Sequence, residues 1–301
     1  MSSSPTATVY QPVSGWQLLN VRELWKFREL LWYFTWRDVK VRYKQTILGA
    51  AWAVLQPFMM MIVFTVLFQR IANVGSGETA YPVFVFTGLI LWQFFASSVT
   101  SASNSVVNNG SVITKVYFPR LLVPLASMGV AFLDFAIASG LLAILMLWYG
   151  TITGISLLLA PVAVGLCLMT ATGVGALIAA LNVSFRDFRY TVPFLVQLWL
   201  FSTPSVYMDL TEFTATPDKT EQAATQSGEQ TEPTSAPLAA AKWGFVHLNP
   251  MTAIIAGFRG AVLDQPIPKW LFCQAGVTSF ALLIIGLAVF RRAESQFADI
   301  V

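Results

Sequence analysis

LLVPLASMGVAFLDFAIASGLLAILMLWYGTITGISLLLAPVAVGLCLMTATGVGALIAALNVSF, residues 121–185, carries a single charge, Asp134. Hydrocarbon leaves backbone N–H and C=O groups no water to bond, so such a stretch must be helical, and one crossing takes only ~20 apolar residues. The stretch is too long for one crossing. It breaks at Tyr149-Gly-Thr-Ile-Thr-Gly154 and so predicts a third span at about 122–148 and a fourth at about 156–181.

Working outward, the same test finds four more charge-free stretches. Gln45–Gln69 (QTILGAAWAVLQPFMMMIVFTVLFQ) holds a first span at about 49–69, with Pro57 expected to bend it, and a second runs from about 81 to 102. A fifth occupies about 190–208, and a sixth about 270–290, closed by Arg291-Arg292. The whole 301-residue composition agrees, at 56% hydrophobic and 11% charged, with a mean hydropathy of +0.65. The expected fold is an all-α membrane protein of six transmembrane helices.

The remaining segments fill in the domain plan. Residues 1–21 read as a flexible tail without the basic start and apolar core of a signal peptide, so the N-terminus is expected to stay in the cytoplasm. Residues 22–45 read as an amphipathic interfacial helix, 46–292 as the transmembrane domain, and 293–301 as a C-terminal tail. Residues 209–242, rich in Thr, Glu, Gln, Ala and Pro, read as a solvated outer loop. Residues 243–263 are apolar but interrupted by Asn249-Pro250 and Gly257 and carry Arg259, which suits a re-entrant or interfacial pair of short helices better than a span. With the N-terminus inside, most Lys and Arg residues fall on the cytoplasmic side, which places both termini there.

Composition also removes several functions. The net charge of +3 is spread without a basic block, so nucleic-acid binding is not expected. Cys167 and Cys273 each lie in an apolar run and read as packing residues, with no metal set around them. No Gly-rich phosphate loop followed by Lys-Ser or Lys-Thr occurs, so the chain has no ATP site of the usual kind.

Residues 22–44, RELWKFRELLWYFTWRDVKVRYK, place Leu24, Phe27, Leu31, Phe34 and Val41 at three- and four-residue steps, opposite a polar stripe that includes Arg37, Lys40 and Lys44. Trp25, Trp32 and Trp36 suit a headgroup layer, so this helix is expected on the membrane surface, anchored to anionic lipid, docked on a cytoplasmic partner, or both.

At this point the residues resemble a family. Trp36-Arg-Asp-Val-Lys-Val-Arg-Tyr-Lys44, followed by Leu48-Gly49, Trp52 and Pro57, is similar to the start of ABC transporter permeases that export O-antigen, capsular polysaccharide or teichoic acid. Lys115-Val-Tyr-Phe-Pro-Arg120, Asn182-Val-Ser-Phe-Arg-Asp187, Ser202-Thr-Pro-Ser-Val-Tyr207 and Leu248-Asn-Pro-Met251 with Phe258-Arg259 resemble later landmarks of that family, in the same order. The polar stretch 209–242 departs from it, being longer than the family's usual outer connection.

The resemblance implies a permease subunit in the bacterial plasma (inner) membrane. It would pair with a second copy of itself and with two copies of a P-loop ATPase that carry the ATP and Mg, leaving no cofactor in this chain. The cargo it implies is a polysaccharide linked to a polyprenyl diphosphate. Carried over residue by residue, the ATPase-coupling surface would include Arg37, Asp38, Lys40, Arg42, Lys115, Tyr117, Arg120, Arg186 and Asp187, and the outer gate Asn249, Pro250 and Arg259. Aromatic rings offer sugars a flat apolar surface, which makes Trp92, Phe95, Trp199, Phe201 and Tyr207 the channel candidates, beside their plainer use as lipid contacts.

Asp134 is an ionisable group at membrane depth, so it is read either as a protonated or hydrogen-bonded side chain bracing helices or the dimer seam, or as part of a proton path. His247 reads as an interfacial side chain. Two rivals stand beside the exporter: a related permease for a drug or simple lipid, and a membrane-embedded enzyme acting on lipid-linked sugars.

Overall fold

In a computed structural model the described residues are 21–44, 49, 51–71, 79–151, 153–185, 187–208, 249–294 and 297. Arg186, His247, the N-terminal tail to residue 20 and the polar stretch 209–242 lie outside them. Among the described residues there is no strand.

The elements are α1 (Val21–Lys26), α2 (Arg28–Lys44), α3 (Ala51–Phe64, continued by a wider π-turn run Thr65–Ile71), α4 (Tyr81–Asn108), α5 (Gly110–Ile113), α6 (Leu122–Tyr149), α7 (Ala160–Ser184, entered through a tighter turn Ile155–Leu159), α8 (Phe188–Phe201), α9 (Pro250–Leu263) and α10 (Lys269–Glu294). Five helices are long and apolar enough to cross a membrane: Ala51–Gln69, Tyr81–Asn108, Leu122–Tyr149, Ile155–Ser184 and Lys269–Glu294. The stretch expected to give a fifth span near 190–208 holds α8, whose 14 residues reach only ~21 Å at 1.5 Å per residue against a ~30 Å hydrocarbon core.

The long charge-poor stretch divides where the glycines allow. Gly150 adopts φ 66°, ψ 23°, a left-handed pair that costs a side chain dearly, and so closes α6. The Gly150 and Thr151 N–H groups donate to Leu147 and Met146 carbonyls at 3.3 and 2.9 Å, which satisfies acceptors the helix end would otherwise leave bare.

α4 is the hub. In its most apolar window 78% of residues are buried, against 17–33% in the other four spans, so α4 is wrapped by protein where the others keep a side for lipid. At the α7–α10 seam the two helix backbones approach closely. A Cβ on Gly286 would collide with the Gly173 backbone, and one on Gly173 with the backbone of Leu282 and Leu283. Nearby, Thr170 Oγ1 donates to Ser279 Oγ at 2.8 Å. Small residues and hydroxyl pairs bind helices in lipid because the hydrophobic effect gives them no help there.

The N-terminal helix turns at Phe27 between α1 and α2 and then packs along α6. Thr35 Oγ1 donates to the Ala126 carbonyl at 3.2 Å, and Arg42 pairs with Asp134 at 3.1 Å, so the two helices run in the same direction. Phe34 is buried edge-on to Phe118 at 5.6 Å between centroids, and Leu24, Phe27 and Leu31 pack beside it. Val41, expected in the same stripe, is 73% exposed. The physical reason is that the last two turns of α2 engage α6 through Arg42 and Tyr43, both bonded to Asp134, which puts Val41 on the outer side.

α9 replaces the expected pair of short helices within the described part of 243–263. Its residues are buried along almost the whole length. At one end Asn249 meets Trp199, whose ring packs on Phe95 well inside α4. At the other, Gln265 reaches Thr79 just before α4 begins. α9 therefore runs, buried, from the middle of α4 toward the Tyr81 end.

Candidate translocation groove and coupling surface

α4 carries Gln93, Ser97, Thr100, Ser101 and Asn104 at four-, three-, one- and three-residue steps, a polar stripe along one face of the helix. Gln93, Ser97, Thr100 and Ser101 of that stripe line a half-open groove of about 500 Å³. α3 adds Gln56, Pro57 and Met60, α8 adds Pro193, Val196 and Gln197, and Arg42 of α2 reaches its edge. Carboxamides and hydroxyls at membrane depth are costly unless they line a polar space or find partners. Glutamine offers both donors and an acceptor, which suits hydroxyl-rich cargo. Gln93 Nε2 donates to Ser97 Oγ at 3.3 Å, so part of the wall satisfies itself.

The aromatic candidates divide. Trp92 lines the groove and packs on Phe95 at 5.5 Å between centroids. Phe95 itself is fully buried and meets the edge of Trp199 at 5.1 Å. Phe201 is exposed, and its carbonyl accepts from the Tyr207 hydroxyl at 2.9 Å. The Tyr207 ring stacks on Phe68 at 4.6 Å.

Asn249 ties the gate candidates to these aromatics. Its Oδ1 accepts from Trp199 Nε1 at 3.0 Å and from the Met251 backbone N–H at 3.1 Å, capping α9. Its Nδ2 donates to the Ser202 carbonyl at 3.2 Å and to Thr203 Oγ1 at 2.9 Å. Pro250 occupies the first helical turn, where a missing N–H costs nothing. Arg259, 4% exposed, donates from Nη2 to the Val206 carbonyl at 3.1 Å and lies 3.5 Å over the Phe84 ring. Gly88 leaves it room: a Cβ there would stand 2.7 Å from Nη2.

The coupling candidates gather at the opposite end of α4. Arg37 donates from Nε and Nη2 to Asp38 Oδ1 at 2.9 and 2.8 Å and from Nη2 to Asn109 Oδ1 at 2.6 Å, tying α2 to the end of α4. Phe34 and Phe118 tie α2 to the following loop. In that loop Lys115 and Tyr117 are exposed, while Arg120 turns back to the Glu294 carbonyl at the end of α10. Lys40 lies over the Trp36 ring. Asp187 is exposed at the start of α8, just past Asn182, whose Nδ2 donates to Ser103 near the same end of α4. Arg42 stands apart from this cluster, held by Asp134. Asp134 also accepts from Tyr43. Burial first, then that hydrogen bond and the Asp134 charge, push the Tyr43 phenol up to about 12, so it remains a donor at neutral pH. Asp134 thus braces α2 against α6, the first of the two readings given for it.

A family model described as "ABC-2 type transporter" matches residues 29–209. The chain belongs to the ABC-2 type transporter family. The transporter is 28% identical over 281 residues to the O-antigen export system permease protein RfbA of Myxococcus xanthus, an alignment covering 93% of this chain and 98% of that one. It is 27% identical over 274 residues to the O-antigen export system permease protein RfbA of Klebsiella pneumoniae, covering 90% and 95%. The transporter is thus a multi-pass membrane subunit, and the embedded-enzyme reading falls away.

Gln56, Gln93, Gln197 and Tyr43 were not among the sequence-derived site residues. The α4 stripe was legible as polar residues at helical period inside a span. Its convergence with Gln56 and Gln197 was not, because nothing local brings three separate helices to one groove. One expectation follows. Gln93→Leu should lower transport several-fold while leaving thermal stability and ATPase association unchanged, measured on reconstituted vesicles; wild-type transport would remove Gln93 from the path.

Proposed function

We propose that this chain is the membrane-spanning permease subunit of an ATP-driven exporter that moves a lipid-linked polysaccharide, of O-antigen, capsule or teichoic-acid type, outward across the bacterial inner membrane. The observation that carries the reading is the groove: hydrogen-bonding side chains from α3, α4 and α8 line it with Trp92, and it is not enclosed by this chain alone. A second copy of the chain completes the enclosure in this reading, giving a path between two protomers. α8 and the turn after it complete a sixth crossing, both termini lie in the cytoplasm, and two P-loop ATPase subunits with ATP and Mg dock where Arg37, Asp38, Lys40, Lys115, Tyr117 and Asp187 gather. The names of the relatives support a glycan cargo over a drug or simple lipid.

The test is movement in vesicles holding the chain and its ATPase. ATP-dependent transfer of a polyprenyl-linked glycan is the expected result, and transfer of small amphiphiles alone would overturn it. Charge reversal of Arg37, Lys40 and Lys115 together should reduce ATPase co-purification at least tenfold at low salt, as expected when like charges replace complementary ones. Undiminished recovery would move the coupling surface elsewhere.

A further inference from the structure

The ion pair at the edge of the groove is built asymmetrically. Arg42 is 44% exposed at its side chain and lines the groove, whereas Asp134 is 13% exposed. Asp134 shares a small gap with Pro57, Gln93, Ser97, Ala131, Phe135 and Ala138. The contact runs from one guanidinium nitrogen, Nη2, to Oδ2, while a guanidinium has five N–H donors and prefers to grip oxyanions two at a time. Asp134 keeps a second donor, Tyr43, on its other oxygen. Arg42 can therefore leave without stranding a bare carboxylate, since the phenol stays protonated and bonded.

We propose that Arg42 captures the phosphate oxygens of the cargo's lipid diphosphate at the mouth of the groove, exchanging them for Asp134, its built-in counter-ion. This rests on the exporter reading above. With the pair closed, the mouth is neutral and the cation is stored in place. A diphosphate, with more charge and more acceptor oxygens than a carboxylate, displaces Asp134 and orients the attached glycan toward Gln93 and Gln197. An anionic phospholipid shares the phosphate-ester chemistry, so the test separates the two sources.

The experiment uses the chain with its ATPase in zwitterionic nanodiscs, and measures binding of labelled undecaprenyl diphosphate with undecaprenol as the uncharged control. Arg42→Gln should weaken diphosphate binding about tenfold or more and leave undecaprenol binding unchanged. Asp134→Asn, which removes the competing charge and keeps an acceptor for Tyr43, should strengthen diphosphate binding several-fold. Unchanged binding in Arg42→Gln, or weaker binding in a folded Asp134→Asn protein, overturns the exchange. Should Asp134→Asn fail to fold, Arg42→Gln decides alone. Displacement of the probe by phosphatidylglycerol at equal potency would assign Arg42 to bilayer lipid and overturn the proposal. Glycan transport by the wild-type complex is run in parallel: transport with Arg42→Gln binding intact sinks only the exchange, whereas no transport and no diphosphate binding sink the exporter reading too.

Discussion

Gly286→Leu removes most of the folded protein: the expected result is loss of the monodisperse peak in detergent, or a fall in melting temperature well beyond that of Gly276→Ala. Any Cβ at Gly286 runs into the Gly173 backbone, and backbone cannot rotate away as a side chain can. Overpacking a tight site costs about 1–3 kcal/mol where neighbours can shift, and here relief requires parting α7 from α10 and breaking the Thr170–Ser279 bond at 2.8 Å. Gly276 lies on the same helix, with only Leu166 within ordinary contact at 3.9 Å, so Gly276→Ala is the control and should melt near wild type. Equal melting of Gly286→Leu and Gly276→Ala would show that the α7–α10 approach is looser than described.

Arg259→Ala should be the next most damaging change and should act on function as well as stability. The guanidinium sits over Phe84 and holds the Val206 carbonyl, joining α9, α4 and the turn after α8. A desolvated cation–π contact is worth about 2 kcal/mol, and a hydrogen bond from a charged donor about 1.5–3 kcal/mol. Losing both frees α9 from the end of the groove opposite the coupling surface. A lower melting temperature with ATP hydrolysis poorly coupled to transport is the expected pattern. Arg259→Lys should recover little, because a point charge cannot lie flat on the ring and reach the carbonyl together. Wild-type coupling in Arg259→Ala would mean that this residue has no part in the gate.

Asn249, Pro250 and Arg259 stood out in the sequence because they interrupt an apolar segment, and their neighbourhood is a single buried helix. What the linear pattern could not convey was that Asn249 spends its whole carboxamide on Trp199, Met251, Ser202 and Thr203. Those partners lie far away in the chain or depend on the cap geometry. Arg42 shows the opposite limit. The family resemblance put Arg42 with the coupling surface, whereas the register of α2 on α6 turns it to Asp134.

Residue order was enough for the all-helical membrane class, the break at Gly150 and the likeness to a permease family. These follow from short-range physics: backbone groups in hydrocarbon must be bonded within a helix, and a left-handed turn favours glycine. Tertiary packing alone made α4 the hub, brought Gln56, Gln93 and Gln197 to one groove, buried α9 along α4 and set α2 against Asp134. Each depends on which faces of apolar helices meet, and in lipid, apolar faces differ little in hydrophobicity. The choice falls to small residues, hydroxyls and charges whose partners are distant in sequence.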